Sequence, residues 1–159
     1  MLPGTTIIYD TREHPSAIAG TLRTIERAGV MTTRRKLDVG DWMLDGHPEI
    51  VIDRKRNLNE LCTNLCSPDK GRFYREVRRA HAAGIHLFIL CEHGAKITCL
   101  DDVKTWVNTR GKVTGRQLYD AMLRCHMAYG VEFLFCPKSR TGHKIMEILE
   151  DNCHGNGHQ

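Results

Sequence analysis

Apolar positions recur with two different periods along this chain, and the switches between them lay out the secondary structure. Thr6–Asp10 opens with a short apolar, β-branched run that predicts a strand. Ala17–Ala28 places Ile18, Leu22 and Ile25 on one helical face. Arg34–Leu37 predicts a second strand, leading into a hairpin whose arms are Gly40–Leu44 and Ile50–Lys55. Between the arms, Asp45-Gly46-His47-Pro48-Glu49 carries the Asp-Gly signal of a tight reversal. Leu58–Leu65 and Arg72–Ala83 have helical spacing, the latter closed by Gly84. Ile85–Cys91 is a continuous apolar run, expected of a central strand buried on both faces. Val103–Val107 predicts a short helix bearing Trp106, and Thr109–Gly115 a polar, glycine-broken loop. A helix over Gln117–Tyr129, a strand over Val131–Cys136 and a helix over Gly142–Glu150 follow. Residues 154–159 read as a disordered polar tail, leaving 1–153 as one domain. The order is strand–helix, strand meander, helices, then strand–helix–strand–helix. It predicts an α/β fold with a mixed sheet and helices on both sides.

The hairpin concentrates the chemistry. If Leu44 pairs with Ile50, Trp42 lies opposite Ile52 and Asp41 opposite Asp53. Trp42, Leu44, Ile50 and Ile52 then share one apolar face, which supports this register over a slip by one residue. Asp41, Val51, Asp53 and Lys55 share the other face. Opposed side chains in such a ladder have Cβ atoms roughly 4.5–5.5 Å apart, where like charges repel. A cation between the two aspartates would relieve that repulsion. Carboxylates with no His or Cys beside them favour hard ions such as magnesium or manganese. Lys55 adds a charge able to hold or deprotonate an attacking water. Asp10, at a strand end, and Glu13 could add a ligand or an anchor. On spacing alone, a metal site and a solvated ion-pair cluster both remain open.

Charge and composition narrow the choice of substrate. The chain has 159 residues, 41% apolar and 26% charged, which suits a single folded domain rather than a disordered chain. The net charge is only +4, but its placement matters more. Arg34-Arg35-Lys36, Arg54-Lys55-Arg56 and the group Lys70, Arg72, Arg75, Arg78 and Arg79 flank the acidic hairpin. Such flanking suits a polyanion bound through its phosphates, although Arg75, Arg78 and Arg79 would also make an ordinary solvated helix face. Seven cysteines without a Cys-x-x-Cys pair and without a targeting pattern suggest a reducing, intracellular setting with buried thiols. No run approaches the ~20 apolar residues that span a bilayer. The 109–115 loop lacks the Gly-Lys-Ser/Thr ending of a nucleotide-binding loop.

Several short motifs, in order, then bear a resemblance. Asp10-Thr-Arg-Glu13, Val39-Gly40-Asp41, Ile52-Asp53-Arg54-Lys55 and Gly71-Arg72-Phe73-Tyr74 span about half the chain. They resemble the signature of the XPF/Mus-type structure-specific endonucleases, a branch of the PD-(D/E)XK nuclease superfamily. Two positions depart from that signature: Asp53 stands where the family usually has Glu, and Asn59 where it has Asp.

The resemblance implies a restriction-endonuclease-like fold and magnesium-dependent cleavage of DNA, with manganese able to substitute. Cleavage would fall at flaps, forks or recombination intermediates and leave a 5′-phosphate and a 3′-hydroxyl. Position by position, it implies that Asp41 and Asp53 bind the ion, Lys55 assists the water, and Asp10 and Glu13 complete the acidic cluster. Arg12, Arg54, Arg72, Arg75 and, from the 109–115 loop, Lys112 would contact DNA or brace the site. Relatives often dimerise through this domain, so the resemblance implies a homodimer or a DNA-targeting partner. The last two helices are where a dimer contact would lie, although most of their apolar residues are expected to cover the sheet. Relatives also carry a helix-hairpin-helix module where this sequence stops, and the free-standing form is expected of bacterial or viral proteins. The rival readings are a catalytically silent DNA-binding or dimerisation subunit and a nuclease for other polynucleotides.

Overall fold

β1 (Thr6–Tyr9) and α1 (Ala19–Arg27) lead into β2 (Met31–Arg34), which returns parallel to β1. The computed structural model describes residues 4–94 and 96–153, so the tail expected over 154–159 lies outside the described residues. β3 (Trp42–Leu44) runs antiparallel to β1 on its other side and pairs with β4 (Ile50–Lys55) through the hairpin. α2 (Leu58–Cys66) and α3 (Gly71–Ala82) cross to β5 (His86–Glu92), parallel to β4. A 3₁₀ turn over Leu100–Thr105 and α4 (Gly115–Tyr129) cross to β6 (Glu132–Cys136), and α5 (Thr141–Cys153) closes the chain. The six strands lie in the order β2-β1-β3-β4-β5-β6.

The mixed sheet with helices on both faces is as the sequence predicts. Ile8, Met43, Val51 and Ile89 pack on one side beneath α2, α3 and α4. Ile7, Trp42, Ile52 and Leu90 pack on the other beneath α1 and α5. β5 is buried along nearly its whole length, as its unbroken apolar run requires. Asn57 caps α2 by accepting the Glu60 N–H at 2.9 Å, so the helix starts well despite Asn59 in its first turn.

Two expectations need correction. The second strand lies at Met31–Arg34 instead of Arg34–Leu37, and it sits at the sheet edge beside β1 instead of leading a meander. A β–α–β crossover carries it there, and its mostly exposed Met-Thr-Thr-Arg residues carry little periodic signal. The short helix is a 3₁₀ turn that ends before Trp106. Most apolar residues of the last two helices cover the sheet, Leu118 and Met122 on one face and Ile145, Ile148 and Leu149 on the other, while Met127 stays exposed. Among the described residues no helix is long and apolar enough to cross a membrane.

Candidate active site

Alternation along β4 sends Val51, Asp53 and Lys55 toward the α2/α3 side, and Ile52 and Arg54 toward α1 and α5. Asp53 and Lys55 are buried, at 5% and 8% exposure. Across the hairpin, the observed Trp42–Ile52 pairing brings Asp41 beside Asp53. Asp41 sits in a bend just before β3, shaped by Gly40. Gly40 has φ +67°, and a Cβ there would lie 2.3 Å from Val51 Cγ1 and 3.0 Å from the Ile52 carbonyl oxygen. Only glycine fits such a bend. The Gly40 N–H donates to Glu76 of α3 at 2.8 Å. The Asp41 N–H donates to the Ile52 carbonyl and the Asp41 carbonyl accepts the Asp10 N–H, both at 2.8 Å. Its carboxylate accepts the Arg54 N–H, also at 2.8 Å.

The two carboxylates disturb each other. Burial first, then repulsion and a shared hydrogen bond from Asp53, and repulsion from Glu13, hold the Asp41 carboxyl well above the usual carboxylate range. Asp53 Oδ2 is buried and accepts no hydrogen bond. The Lys55 ammonium lies 3.2 Å from it, close enough for charge attraction but outside hydrogen-bond alignment. Lys55 Nζ also lies 5.2 Å from the centroid of the Phe73 ring. Burial pushes the Lys55 pKa down, but Asp53, Glu60 and Asp41 outweigh it, so the group stays an ammonium. That favours holding a water or phosphate oxygen over acting as a base.

This donor set fits a hard cation. Both groups offer carboxylate oxygen, and two facing carboxylates with a single ammonium beside them leave negative charge that such an ion would neutralise. Among the described residues no three His, Cys, Asp or Glu side chains are gathered to hold an ion alone. Magnesium is typically bound through one or two carboxylates, with waters and substrate phosphates completing its shell. The pair opens into a cleft of about 550 Å³ whose lining includes Arg12, Arg72 and Glu60.

Behind the pair stands a buried ionic network. Arg54 grips Glu13 through Nε at 2.9 Å and Nη2 at 2.6 Å, and reaches Glu92 through Nη1 at 2.6 Å. The Thr141 hydroxyl, at the first residue of α5, donates to Glu92 at 2.5 Å. The backbone N–H that orients Asp41 and the guanidinium that ties the loop after β1 to β5, and through Glu92 to α5, thus belong to one residue.

The profile of the ERCC4 domain family matches residues 9–147. The chain belongs to the ERCC4 domain family. Among solved structures, XPF from Aeropyrum pernix superimposes on this ERCC4 domain with a TM-score of 0.69 at 22% identity, covering 94% of this chain and 66% of that one. The structure of XPF from Aeropyrum pernix in complex with DNA gives a TM-score of 0.69 at 20% identity, over 98% of this chain and 68% of that one. The chain thus spans about two thirds of the length of those proteins. No curated protein sequence is significantly similar to it.

The ERCC4 domain brings together some of the residues named from sequence and separates others. Asp41, Asp53 and Lys55 meet as expected from the register, and Arg12 and Arg72 line the same cleft. Asp10 does not join the acidic pair. Fully buried, it accepts the Leu37 N–H at 2.6 Å, the Arg12 N–H at 3.0 Å and the Arg12 Nε–H. Burial works to raise its pKa, but these bonds prevail and hold it below the usual range. Glu13 lines the cleft with both oxygens committed to Arg54. Arg54 correspondingly braces the site instead of offering a free cation. Arg75 is exposed on α3 outside the cleft lining, and Lys112 lines a neighbouring depression. Sequence reasoning missed Glu76, Glu92 and Glu60. Glu76 continues the Gly-Arg-Phe-Tyr segment and was within reach, whereas nothing near Glu92 in sequence points to Arg54.

Proposed function

We propose that this ERCC4 domain is a divalent-metal-dependent endonuclease that hydrolyses DNA phosphodiesters, at flaps, forks or recombination junctions. One observation carries the reading: two facing carboxylates, one of them 3.2 Å from a buried ammonium, share a cleft floor. The DNA complex of the archaeal XPF supports a nucleic-acid substrate.

Asp41 and Asp53 would hold magnesium or manganese, which supplies Lewis-acid charge at the phosphate and acidifies a water. Lys55, kept protonated by its acidic neighbours, orients the attacking water or steadies the negative charge that builds on the phosphoryl oxygens. Arg72 and Arg12 draw the backbone into the cleft. Arg54 keeps the Asp41 carboxylate aimed through its N–H while its side chain is locked by Glu13 and Glu92. A 5′-phosphate and a 3′-hydroxyl are the expected products. Branch selection would come from the domain, from a second copy, or from a DNA-targeting partner, in the reducing intracellular setting that the cysteines suggest.

The test is cleavage of labelled flap, fork, four-way junction, duplex and single-stranded DNA with magnesium or manganese, by wild type and Asp53→Ala. Cutting that needs metal and disappears in the variant supports the enzyme. Tight binding without cutting by wild type would instead identify a silent DNA-binding subunit.

A further inference from the structure

A second depression of about 540 Å³ adjoins the cleft and shares Arg56, Glu60 and Thr63 with it. One wall is the start and outer face of α2; the other is the loop over residues 108–113. We propose, resting on the endonuclease reading, that this depression is a subsite for an unpaired DNA strand leaving the cleft.

The loop is built to present charge. Asn108 donates from Nδ2 to the Val113 carbonyl at 2.9 Å and accepts the Arg110 N–H at 3.0 Å, which folds the loop on itself. Its far end is pinned at Gly115, where a Cβ would come within 2.5 Å of the Trp106 and Val103 carbonyl oxygens. Arg110 and Lys112 stand exposed on this frame and make no ion pair among the described residues. Arg56 faces them across the depression. The one carboxylate in the lining, Glu60, already accepts the Arg56 N–H at 2.8 Å and lies 3.5 Å from its Nε. Arg56 and Glu60 largely offset each other, so Arg110 and Lys112 carry the net positive charge of the depression.

Its interior suits bases better than a duplex backbone. Asn59 and Asn57 supply amide groups, whereas the Asn108 amide is spent on the loop and the Thr63 and Ser67 hydroxyls donate to the Asn59 and Thr63 carbonyls. Asn57 spends its oxygen on the Glu60 N–H, which leaves its donors over. These two amides match the base edges of an unpaired strand, edges that pairing hides in a duplex. Cys62 remains neutral, its thiol pushed up to about 11 by burial and by Cys66, so it adds apolar wall without repelling phosphate. Among the described residues no aromatic ring lines the depression, so phosphate charge contributes more of the affinity than stacking does.

The test is fluorescence anisotropy in EDTA, with a short oligothymidylate and a blunt duplex, for wild type, the Arg110→Ala/Lys112→Ala double variant, Asn59→Ala and a control, Arg23→Ala on α1. The double variant should weaken single-strand binding about tenfold and flatten its salt slope by roughly 1.4, two contacts at ~0.7 each. Asn59→Ala should weaken single-strand binding alone, and the duplex should change less than about twofold in either variant. Equal losses for duplex and single strand, or no loss, would overturn the subsite. Flap cleavage by wild type with magnesium, read in parallel, separates the two claims. Cutting without a single-strand loss rejects the subsite alone, and a single-strand loss without cutting rejects only the enzyme.

Discussion

Asp41 and Asp53 repel, and the repulsion grows as pH rises. Because the folded-state pKa of Asp41 is raised, the folded molecule binds a proton there that the unfolded chain has already lost. Stability is therefore given up from about pH 4, the ordinary aspartate value, upward through the raised one. Asp41→Asn removes the charge while keeping an oxygen for the Arg54 N–H. In EDTA at pH 7.5 its melting temperature should exceed wild type by about 2–4 °C, corresponding to ~1 kcal/mol, and the gap should close at pH 4. Manganese should raise the melting temperature of wild type and leave the variant nearly unmoved. A wild type more stable than the variant in EDTA would refute the repulsion. Asp10 is the opposite case: its lowered pKa means a contribution present above about pH 4 and lost as pH falls below it. Asp10→Asn turns an NH₂ toward donors, and should cost roughly 2–3 kcal/mol at pH 7. Manganese affinity by calorimetry then separates the roles: Asp10→Asn should hold within a few-fold of wild type, and Asp53→Asn should lose binding.

At the scale of elements, the site is made by a bend and a strand that meet. β4 delivers Asp53 and Lys55 by alternation alone, and this part was legible because period two is written into six consecutive residues. The facing position of Asp41 was legible through the same pairing. The bend that aims it was not, because it depends on Val51 and Ile52 crowding Gly40 from across the hairpin. Gly40→Ala should therefore cost about 2–4 kcal/mol, combining left-handed backbone strain with overpacking, and should weaken manganese binding more than Asp10→Asn does. Unchanged stability in urea unfolding would show that the bend relaxes freely. The Glu13–Arg54–Glu92 network was illegible for a related reason. Its members are 41 and 38 residues apart, and only the assembled sheet brings them together. β2 was misplaced because Met31-Thr32-Thr33-Arg34 buries almost nothing, whereas the more apolar Leu37 and Val39 belong to a segment packed beneath the helices.

The whole molecule is two helical layers on one sheet, and its thiols report on both. Cys91 and Cys125 lie in the α2/α3/α4 layer, Cys136 and Cys153 in the α1/α5 layer, and all four are buried. Cys62 and Cys66 are half-buried in the proposed strand subsite, and Cys99 is exposed. Burial pushes the Cys125 and Cys153 thiols up to about 12 and about 11, so in the folded state at pH 8 they hold little reactive thiolate. Labelling the native protein with a chromogenic disulfide should thus release one equivalent quickly, from Cys99, and two slowly, from Cys62 and Cys66. The other four should react only on unfolding. Because both layers share the strands between them, the chain from 1 to 153 should unfold as one cooperative unit. The buried thiols of both layers should then appear together along a urea titration, at the midpoint given by circular dichroism. Release in two steps, Cys136 and Cys153 apart from Cys91 and Cys125, would mean that the α1/α5 layer detaches independently. That result would also loosen the tie from Thr141 through Glu92 to Arg54, so metal affinity should fall at the first step and not the second. Oligothymidylate, by contrast, should slow only Cys62 and Cys66, since they alone among the thiols line the depression.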